Sequence, residues 1–535
     1  MSKFIFITGG VVSSLGKGLA SASLAMLLEQ RGLTVRMLKL DPYLNVDAGT
    51  MNPYQHGEVY VTPDGGETDL DLGHYERFAS GPLSRDSNVT TGQIYDAVIR
   101  RERQGGYDGA CVQVVPHITD EIKSRVRKMC SPEVDVVLAE VGGTAGDIES
   151  LPFLEALRQM ALEEGPGNVS FVHLTLLPFV RAAGELKTKP SQHSVQRLRE
   201  IGIQPNMLMV RTEKAIDDDI RRKLSLHCNI AQDAVVEIKD VEHIYEVPLV
   251  LRRQRADDIV CNQLHLPGAA PELGVWEEML HTLKNPEGRV TIAVVGKYAE
   301  LPDAYKSIYE ALTHGGIANR VRVHLKKILS DDVTPERVAE QFDDVDGVLV
   351  PGGFGERGIN GKIVAAEYAR TQKIPYFGIC LGMQVQVVEF ARNVLQLPAA
   401  HSSEFSPDGP EPIIHLMADQ RVISQRGGTM RLGQYACDLL PGTKAHAAYG
   451  EERVAERHRH RFEFNPAYRV RCEANGMRFA GINPETGLIE ISEIVDHPWM
   501  VGVQFHPEFQ SKPVAAHPLF RDFVAAAVQH RKVQS

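Results

Sequence analysis

The string Gly378-Ile379-Cys380-Leu381-Gly382 sets a cysteine between two glycines, after the apolar run Ile374–Phe377 and before the helix-patterned Leu381–Ala391. This is the G-x-nucleophile-x-G elbow, whose glycines permit a sharp, strained turn that lifts the side chain clear of the backbone. A helix start behind it favours the thiolate form. A buried structural cysteine is the ordinary alternative, but two glycines at a strand–helix junction do not follow from it. The base is expected downstream, and Phe505-His506-Pro507-Glu508 offers one at the end of Trp499–Phe505. An extended segment would put His506 and Glu508 on the same side, so that the carboxylate orients the imidazole that deprotonates Cys380. The expected oxyanion donors are the N–H of Leu381 and one from the loop Pro351-Gly352-Gly353-Phe354-Gly355, with Gly353 the choice. The chemistry is thiolate attack on a carbonyl carbon. In Arg457-His458-Arg459-His460-Arg461, Arg461 is the expected clamp for a substrate carboxylate.

A second centre is spelled by Gly9-Gly10-Val11-Val12-Ser13-Ser14-Leu15-Gly16-Lys17-Gly18, between the apolar run Lys3–Thr8 and a helix pattern with Ala20, Leu24, Leu27 and Leu28 on one face. Such a turn aims backbone N–H groups and a positive helix end at an anion, and Lys17 adds a point charge for phosphate oxygens. A surface turn with a solvated lysine is the alternative. Against the general pattern GxxxxGK[ST], the leading glycine lies one residue too far away, and Gly18 replaces the metal-binding hydroxyl. A Mg²⁺ ion would therefore need other hard oxygens. Glu140 ends the apolar strand Asp135–Ala139, and Asp71 lies in Glu67-Thr68-Asp69-Leu70-Asp71, where an extended chain would put Glu67, Asp69 and Asp71 on one face. In Lys187-Thr188-Lys189-Pro190-Ser191-Gln192 the proline biases Lys189 towards an extended shape. Lys187 and Lys189 would then project together, suiting a second polyphosphate; a solvated basic loop stays open as the alternative.

The elements that position these residues alternate between strand and helix. Lys3–Thr8, the glycine-rich loop, a helix and Leu33–Leu40 make a βαβ unit, which implies a parallel sheet covered on both faces. Asp135–Glu140 and Phe171–Leu177 read as further buried strands. The Pro- and Gly-rich stretches Leu266–Gly274 and Lys284–Gly288 mark a linker, after which Val290–Gly296, Asp346–Val350 and Ile374–Ile379 begin a second strand series. The expectation is an α/β protein of two doubly wound domains: residues 1–267, a linker over 268–289, and residues 290–535. With 535 residues, two large domains are within the usual range. The net charge of −11 disfavours a general nucleic-acid binder. Seven cysteines without a CxxC indicate neither a disulfide framework nor a zinc knuckle, so a reducing cytoplasm is the expected home. No membrane span and no secretory signal are read.

The strings GICLGMQ and FHPEF resemble those of class I glutamine amidotransferases, with Cys380, His506 and Glu508 as the triad. GGVVSSLGKG, KLDPYLNVDAGTMNP, QHGEVYVTPDGGETDLDLGHYERF, EVGGTAGDIES and KTKPSQHS resemble the CTP synthase family, over essentially the whole chain. Both departures from the general phosphate-loop pattern are typical of that family. The resemblance implies a P-loop-type (Rossmann-like) synthetase or amidoligase domain followed by a class I glutamine amidotransferase domain. ATP would phosphorylate O4 of UTP, and ammonia, from glutamine or free, would displace the phosphate to give CTP. It further implies that Ser14, Leu15, Gly16, Lys17, Gly18 and Leu19 hold ATP phosphates, with Lys39 near the transferred group and Lys239, Asp240 and Val241 by the adenine. Asp71 and Glu140 would hold Mg²⁺. Ser13, Lys187, Thr188, Lys189, Pro190, Ser191, Gln192 and Lys223 would bind UTP, and Asp147, Ile148 and Glu149 the product CTP. Gly353, Leu381, Gly382, Met383, Gln384, Glu404 and Arg461 would hold glutamine, and His56 would flank the ammonia passage. The family also implies GTP as allosteric activator, with Gly427–Gly433 resembling the linked lid, CTP as feedback inhibitor, and a homotetramer. Two rivals remain at this point: an amidoligase with a carboxylate acceptor, and a nucleotide switch or filament protein with an idle glutaminase.

Overall fold

In a computed structural model, residues 2–416 and 430–534 are described. The chain divides into two compact units, one of residues 1–48 and 71–274 and the other of residues 49–70 and 275–535. Each unit is built on one large sheet.

The first unit carries seven parallel strands: β1 (Lys3–Gly9), β2 (Val35–Asp41), β3 (Asn88–Thr90), β4 (Val136–Val141), β5 (Val169–Leu177), β6 (Met207–Thr212) and β7 (Val235–Lys239), in the order β7-β6-β5-β1-β4-β2-β3. Every residue of β4 is buried, as a strand covered on both faces requires. The glycine-rich loop leaves central β1 and feeds α1 (Lys17–Glu29). Burial of α1 goes beyond the single face its pattern predicts, running from Ala20 through Leu28, because α2 (Asp71–Phe78) and the helix Val247–Arg253 cover its outer side. Cross-strand register places Lys39 of β2 directly beside Glu140 of β4.

The second unit has a nine-stranded mixed sheet. Its strands are β8 (Gly288–Gly296), β9 (Val321–Leu329), β10 (Gly347–Val350), β11 (Tyr376–Ile379), β12 (Arg431–Leu439), β13 (Arg453–His460), β14 (Met477–Ile482), β15 (Ile489–Ile494) and β16 (Met500–Val503), ordered β9-β8-β10-β11-β16-β15-β14-β12-β13. The first five strands in that order are parallel; the pairings from β16 to β13 are antiparallel. Helices α4 (Lys306–Ala318), Ile359–Gln372, α5 (Leu381–Asn393) and α6 (Pro518–Gln534) cover it.

Two boundaries differ from the sequence expectation. Residues 49–70, read as part of the first domain, cluster with the second unit. The cause is local bonding: Tyr60 Oη donates to the Phe509 carbonyl (2.9 Å), Glu58 accepts from the Ser307 backbone N–H (3.0 Å), and Arg459 pairs with Glu67 (2.8 Å). The expected linker also contains a helix, Gly274–Lys284, that buries Trp276, Met279 and Leu280. Within the described residues no helix is long and apolar enough to cross a membrane.

Gly315 tests the packing of α4 on α6. A Cβ there would sit 2.8 Å from the Phe520 carbonyl oxygen and 3.0 Å from Val524 Cγ2. Alanine would normally gain about 1 kcal/mol of helix propensity over glycine. The forced separation reverses the sign, so Gly315→Ala is expected to destabilise the protein by about 1–3 kcal/mol in chemical denaturation, with the slope unchanged.

Candidate active sites

In the first unit the loop turns on Val11 (φ 81°), Ser14 (φ 54°) and Gly16 (φ 93°), and α1 opens at Lys17. Lys17 Nζ donates to the Gly143 carbonyl (2.7 Å), and the Ala145 N–H donates to the Gly9 carbonyl (2.7 Å). These bonds draw the EVGGTAGDIES segment onto the loop. Asp147 accepts there from the Thr144 N–H (3.1 Å), while Ile148 is 81% exposed.

Lys39 is the hub. Its buried ammonium bonds Asp71, lies 3.2 Å from Glu140 Oε1 and stands 3.8 Å from Asp41. Tyr75 Oη donates to the other Glu140 oxygen (2.5 Å), and Asn88 donates to Asp41 (2.8 Å). Burial pushes the Glu140 and Asp41 carboxyls up. For Asp71 burial pulls the same way but loses to Lys39, so its carboxyl titrates below the usual range. Lys17 is shifted down, by burial and by the Lys39 charge. Gly18 is required beside this cluster, because a Cβ on it would run into the Asp71 carboxylate. Among the described residues no three His, Cys, Asp or Glu side chains converge as a metal cage. A hard carboxylate pair, Asp71 and Glu140, fits instead a magnesium-type ion that keeps water and phosphate ligands.

Two sequence expectations change here. The segment Glu67–Asp71 is not a continuous strand: only Glu67–Thr68 is extended, and Asp71 starts α2. The acids therefore do not share one face, and Glu67 is held by Arg459. Lys189 is not extended but opens α3 (Lys189–Glu200), where Pro190 fills an early position whose missing N–H costs nothing. Lys187 pairs with Glu185, Ser191 Oγ donates to the Leu176 carbonyl (3.0 Å), and Gln192 Nε2 donates to Thr188 (3.0 Å). Lys189 and Lys223 are exposed, as is Lys239 at the end of β7. Asp240 accepts from Arg211 (2.8 Å), whose other nitrogen reaches the Ser14 and Leu15 carbonyls (3.3 Å each). Neutral His173 joins Thr8 to Ser194 of α3 (2.8 Å each), its imidazole pulled down to about 3 by burial and by Lys17.

In the second unit β11 ends at the elbow. Cys380 has φ 51° and ψ −102°, and α5 starts at Leu381. Both flanking glycines are demanded by close approach: a Cβ on Gly378 would lie 2.6 Å from the Gly382 carbonyl, and one on Gly382 would strike the Val350 carbonyl. His506 reaches Glu508 through Nδ1 (2.7 Å) and stacks on Phe509. The expected extended segment is instead a 3₁₀ turn, Pro507–Gln510, with Pro507 ending the strand geometry. A Cβ placed on Gly352 would meet His506 Cε1 at 3.1 Å and Cys380 Cβ at 3.5 Å, so thiol, imidazole and loop share one corner. Burial opposes the imidazolium, but the Glu508 carboxylate and the Cys380 sulfur prevail, and His506 is pushed up to about 10.

The loop beyond is anchored by its carbonyls. Lys362 Nζ donates to Pro351 (3.1 Å), and Lys297 Nζ donates to Phe354 (2.6 Å) and Gly355. Burial draws Lys297 down to about 8; burial and the Lys297 charge draw Lys362 down to about 7. Glu404 accepts from the Gly355 N–H (2.9 Å), and burial pushes its carboxyl up. The first N–H groups of α5, Leu381 included, have no intrahelical acceptor. Gln384 Nε2 donates to the Phe462 carbonyl (3.1 Å) and to Gln504 Oε1 (3.2 Å). Of the arginine cluster, Arg457 bonds Tyr60 and Val61 and Arg459 bonds Glu67 and Gly49, while Arg461 follows β13 in a half-buried position. Residues 427–429 of the expected lid lie outside the described residues.

The sequence reading missed Asp41, Tyr75, Arg211, Lys297, Lys362 and Gln504. Alternation in Trp499–Phe505 offers a signal for Gln504, two residues before His506; nothing in pattern marks the others.

Residues 3–266 match the family described as CTP synthase N-terminus, and residues 300–526 match glutamine amidotransferase class-I. A CTP synthase of Geobacter metallireducens is 58% identical over 535 residues, covering 100% of this chain and 99% of the relative. One of Clostridium acetobutylicum is 58% identical over 527 residues, covering 98% of each. Among solved structures, the glutaminase domain of Trypanosoma brucei CTPS with bound acivicin is 35% identical, covering 45% of this chain and 94% of that chain, at a TM-score of 0.43.

His506 provides a pH test. Its folded value lies above the ordinary one near 6.5, so the stability it contributes is fully present below about 6.5 and is lost as pH rises through about 10. Ring-proton NMR should find His506 protonated at pH 8. In Glu508→Gln it should be neutral there, and the stability gap between the two proteins should close towards pH 10.

Proposed function

This chain belongs to the CTP synthase family, and from that premise we propose that it converts UTP, ATP, glutamine and water into CTP, ADP, phosphate and glutamate. The observation that carries the reading is the presence in one chain of two complementary centres. One is a strained thiol beside a carboxylate-oriented imidazole; the other is a phosphate loop whose neighbouring ammonium lies between half-buried Asp71 and buried Glu140.

At the thiol centre, proton transfer from Cys380 to His506 gives the resting thiolate–imidazolium pair, and the thiolate attacks the amide carbon of glutamine. Glu508 holds the imidazolium, and the N–H groups of Leu381 and Gly353 receive the developing oxyanion. The imidazolium protonates the leaving nitrogen, ammonia departs, and water then hydrolyses the thioester to glutamate. Gly382, Met383, Gln384, Glu404 and Arg461 line the glutamine in this reading, Arg461 pairing with its carboxylate.

At the phosphate centre, Ser14 to Leu19 cradle ATP, and Lys17 and Lys39 balance charge on the moving phosphoryl group. Asp71 and Glu140 would hold the magnesium-type ion, which when bound neutralises phosphate oxygens. UTP O4 attacks the γ-phosphorus and ADP leaves; ammonia then adds at C4 and expels phosphate. An exocyclic oxygen is a poor leaving group until phosphorylated, so ATP is consumed before either nitrogen source is used. Free ammonia should serve in place of glutamine. Ser13, Lys187 to Gln192 and Lys223 are assigned to UTP, Asp147 to Glu149 to CTP, and Lys239 to Val241 to the adenine. The same kinship supports GTP activation, CTP feedback inhibition, a homotetramer and a cytoplasmic location.

Following the absorbance change from UTP to CTP tests the whole scheme. Cys380→Ala should lose glutamine-dependent turnover by at least a hundredfold and keep ammonia-dependent turnover within about threefold, in line with losses on removing a nucleophile. Equal loss of both would refute separate centres. Lys17→Ala should lose both activities, because UTP activation precedes either nitrogen source.

A further inference from the structure

We infer that Gln504 donates a side-chain N–H to the Cys380 sulfur, with its amide locked in that orientation by Gln384, and so stabilises the sulfur as nucleophile and as leaving group. Gln504 is 1% exposed, and its Nε2 lies 3.7 Å from Cys380 Sγ. An amide can be turned end for end, so the identity of the group facing the sulfur has to be argued. The Phe462 carbonyl settles it, because a carbonyl only accepts. The Gln384 end that reaches it at 3.1 Å is therefore the nitrogen. That same nitrogen lies 3.2 Å from Gln504, where its second hydrogen must meet an acceptor, which is Oε1. The remaining end of Gln504, aimed at Sγ, is the N–H donor.

The other groups around the sulfur do not duplicate this contact. The Arg459 carbonyl lies 3.9 Å away and can only accept from a thiol. His506 takes the thiol proton, and Lys362 acts through its charge while bonding the Pro351 carbonyl. Gln504 keeps its own protons throughout. When Cys380 loses its proton to His506, and again when the thioester C–S bond breaks, the negative sulfur gains a charge-assisted hydrogen bond. As a consequence for turnover the inference rests on the glutaminase reading; as a statement about the sulfur it does not.

The experiment uses the full-length protein and site-resolved alkylation by iodoacetamide at pH 7, following Cys380 by mass spectrometry. Exposed Cys111 serves as the internal control. Gln504→Leu and Gln504→Glu should slow alkylation of Cys380 at least fivefold, Glu more than Leu because it presents an acceptor to an anion, with Cys111 unchanged. Gln384→Leu, which unlocks the amide, should slow it less. Glutamine hydrolysis should fall about tenfold in kcat with KM within twofold. Alkylation within twofold of wild type in both Gln504 variants overturns the inference. So does loss of a cooperative melt in both, which would make Gln504 a packing residue. If the wild type hydrolyses no glutamine while alkylation still depends on Gln504, the glutaminase reading fails and the inference stands.

Discussion

Residue 380 has to hold a side chain in a conformation that its own backbone resists. At φ 51° and ψ −102° a non-glycine residue carries strain of about 1–3 kcal/mol. The surroundings over-determine that conformation. The Cys380 N–H donates to the Val503 carbonyl (2.7 Å), Tyr376 Oη donates to the Gly382 carbonyl (2.8 Å), and two glycines admit contacts that no Cβ tolerates. Because β11 and β16 pair in parallel, the strand that presents the thiol and the strand that leads into His506 advance together. The glutaminase half follows from that constraint: sheet order brings the sulfur and the imidazole to one edge, and the strained turn lifts the sulfur towards it.

The first unit solves a different problem, the burial of charge. A lone buried ammonium or carboxylate is costly, and removing one partner from a buried pair leaves the other uncompensated. Lys39 is shared between Asp71 and Glu140, with Asp41 close by, and Tyr75 and Asn88 take up the remaining oxygens. The opposed shifts of Asp71 and Glu140 express one fact: the first lies within the ammonium's strongest reach, while the second, deeper in the sheet, is governed by desolvation. The register Lys39↔Glu140 makes their pairing a property of the sheet rather than of any loop.

What could be read from sequence were features with a short range. Strand–loop–helix alternation located β1, β2, β4, β8, β10 and β11 to within a few residues, because buried parallel strands are continuous apolar runs. The elbow and phosphate loop were legible because glycine spacing is itself the steric requirement. The His506–Glu508 contact was anticipated correctly but for the wrong reason, since Pro507 makes a turn that brings the carboxylate to the ring. Legibility failed where geometry depends on partners far along the chain. Glu67 and Asp71, four residues apart, fall in different units because Arg459 holds the first and Lys39 the second. The antiparallel strands β12 to β15 carry mixed, partly polar sequences, and no local pattern betrays that Lys297 and Lys362 are buried against carbonyls.

The string Arg457–Arg461 shows how one backbone group can organise two such partnerships. Alternation along β13 sends Arg457 and Arg459 to residues 49–67 and turns His458 and His460 inward, where burial and Arg431 hold both rings neutral. The Phe462 carbonyl receives His460 Nδ1 (3.2 Å) as well as Gln384 Nε2. With its proton on Nδ1, His460 must accept at Nε2, so His458 donates from Nδ1 (2.9 Å) and presents a bare Nε2 to Glu490, 3.6 Å away. Glu490 and Glu463 share the single Arg431 guanidinium, and burial pushes both carboxyls up, which favours a retained proton on that pair. Two relays thus start at one acceptor. The relay through Gln384 and Gln504 ends at the sulfur; the relay through the histidines ends in a buried acid pair that ties β13 to β15 and β12. A carbonyl has two lone pairs and no hydrogen to offer. Filling both fixes the direction of every donor downstream, so the orientation of the amide facing Cys380 is set by the polar core rather than by the site itself.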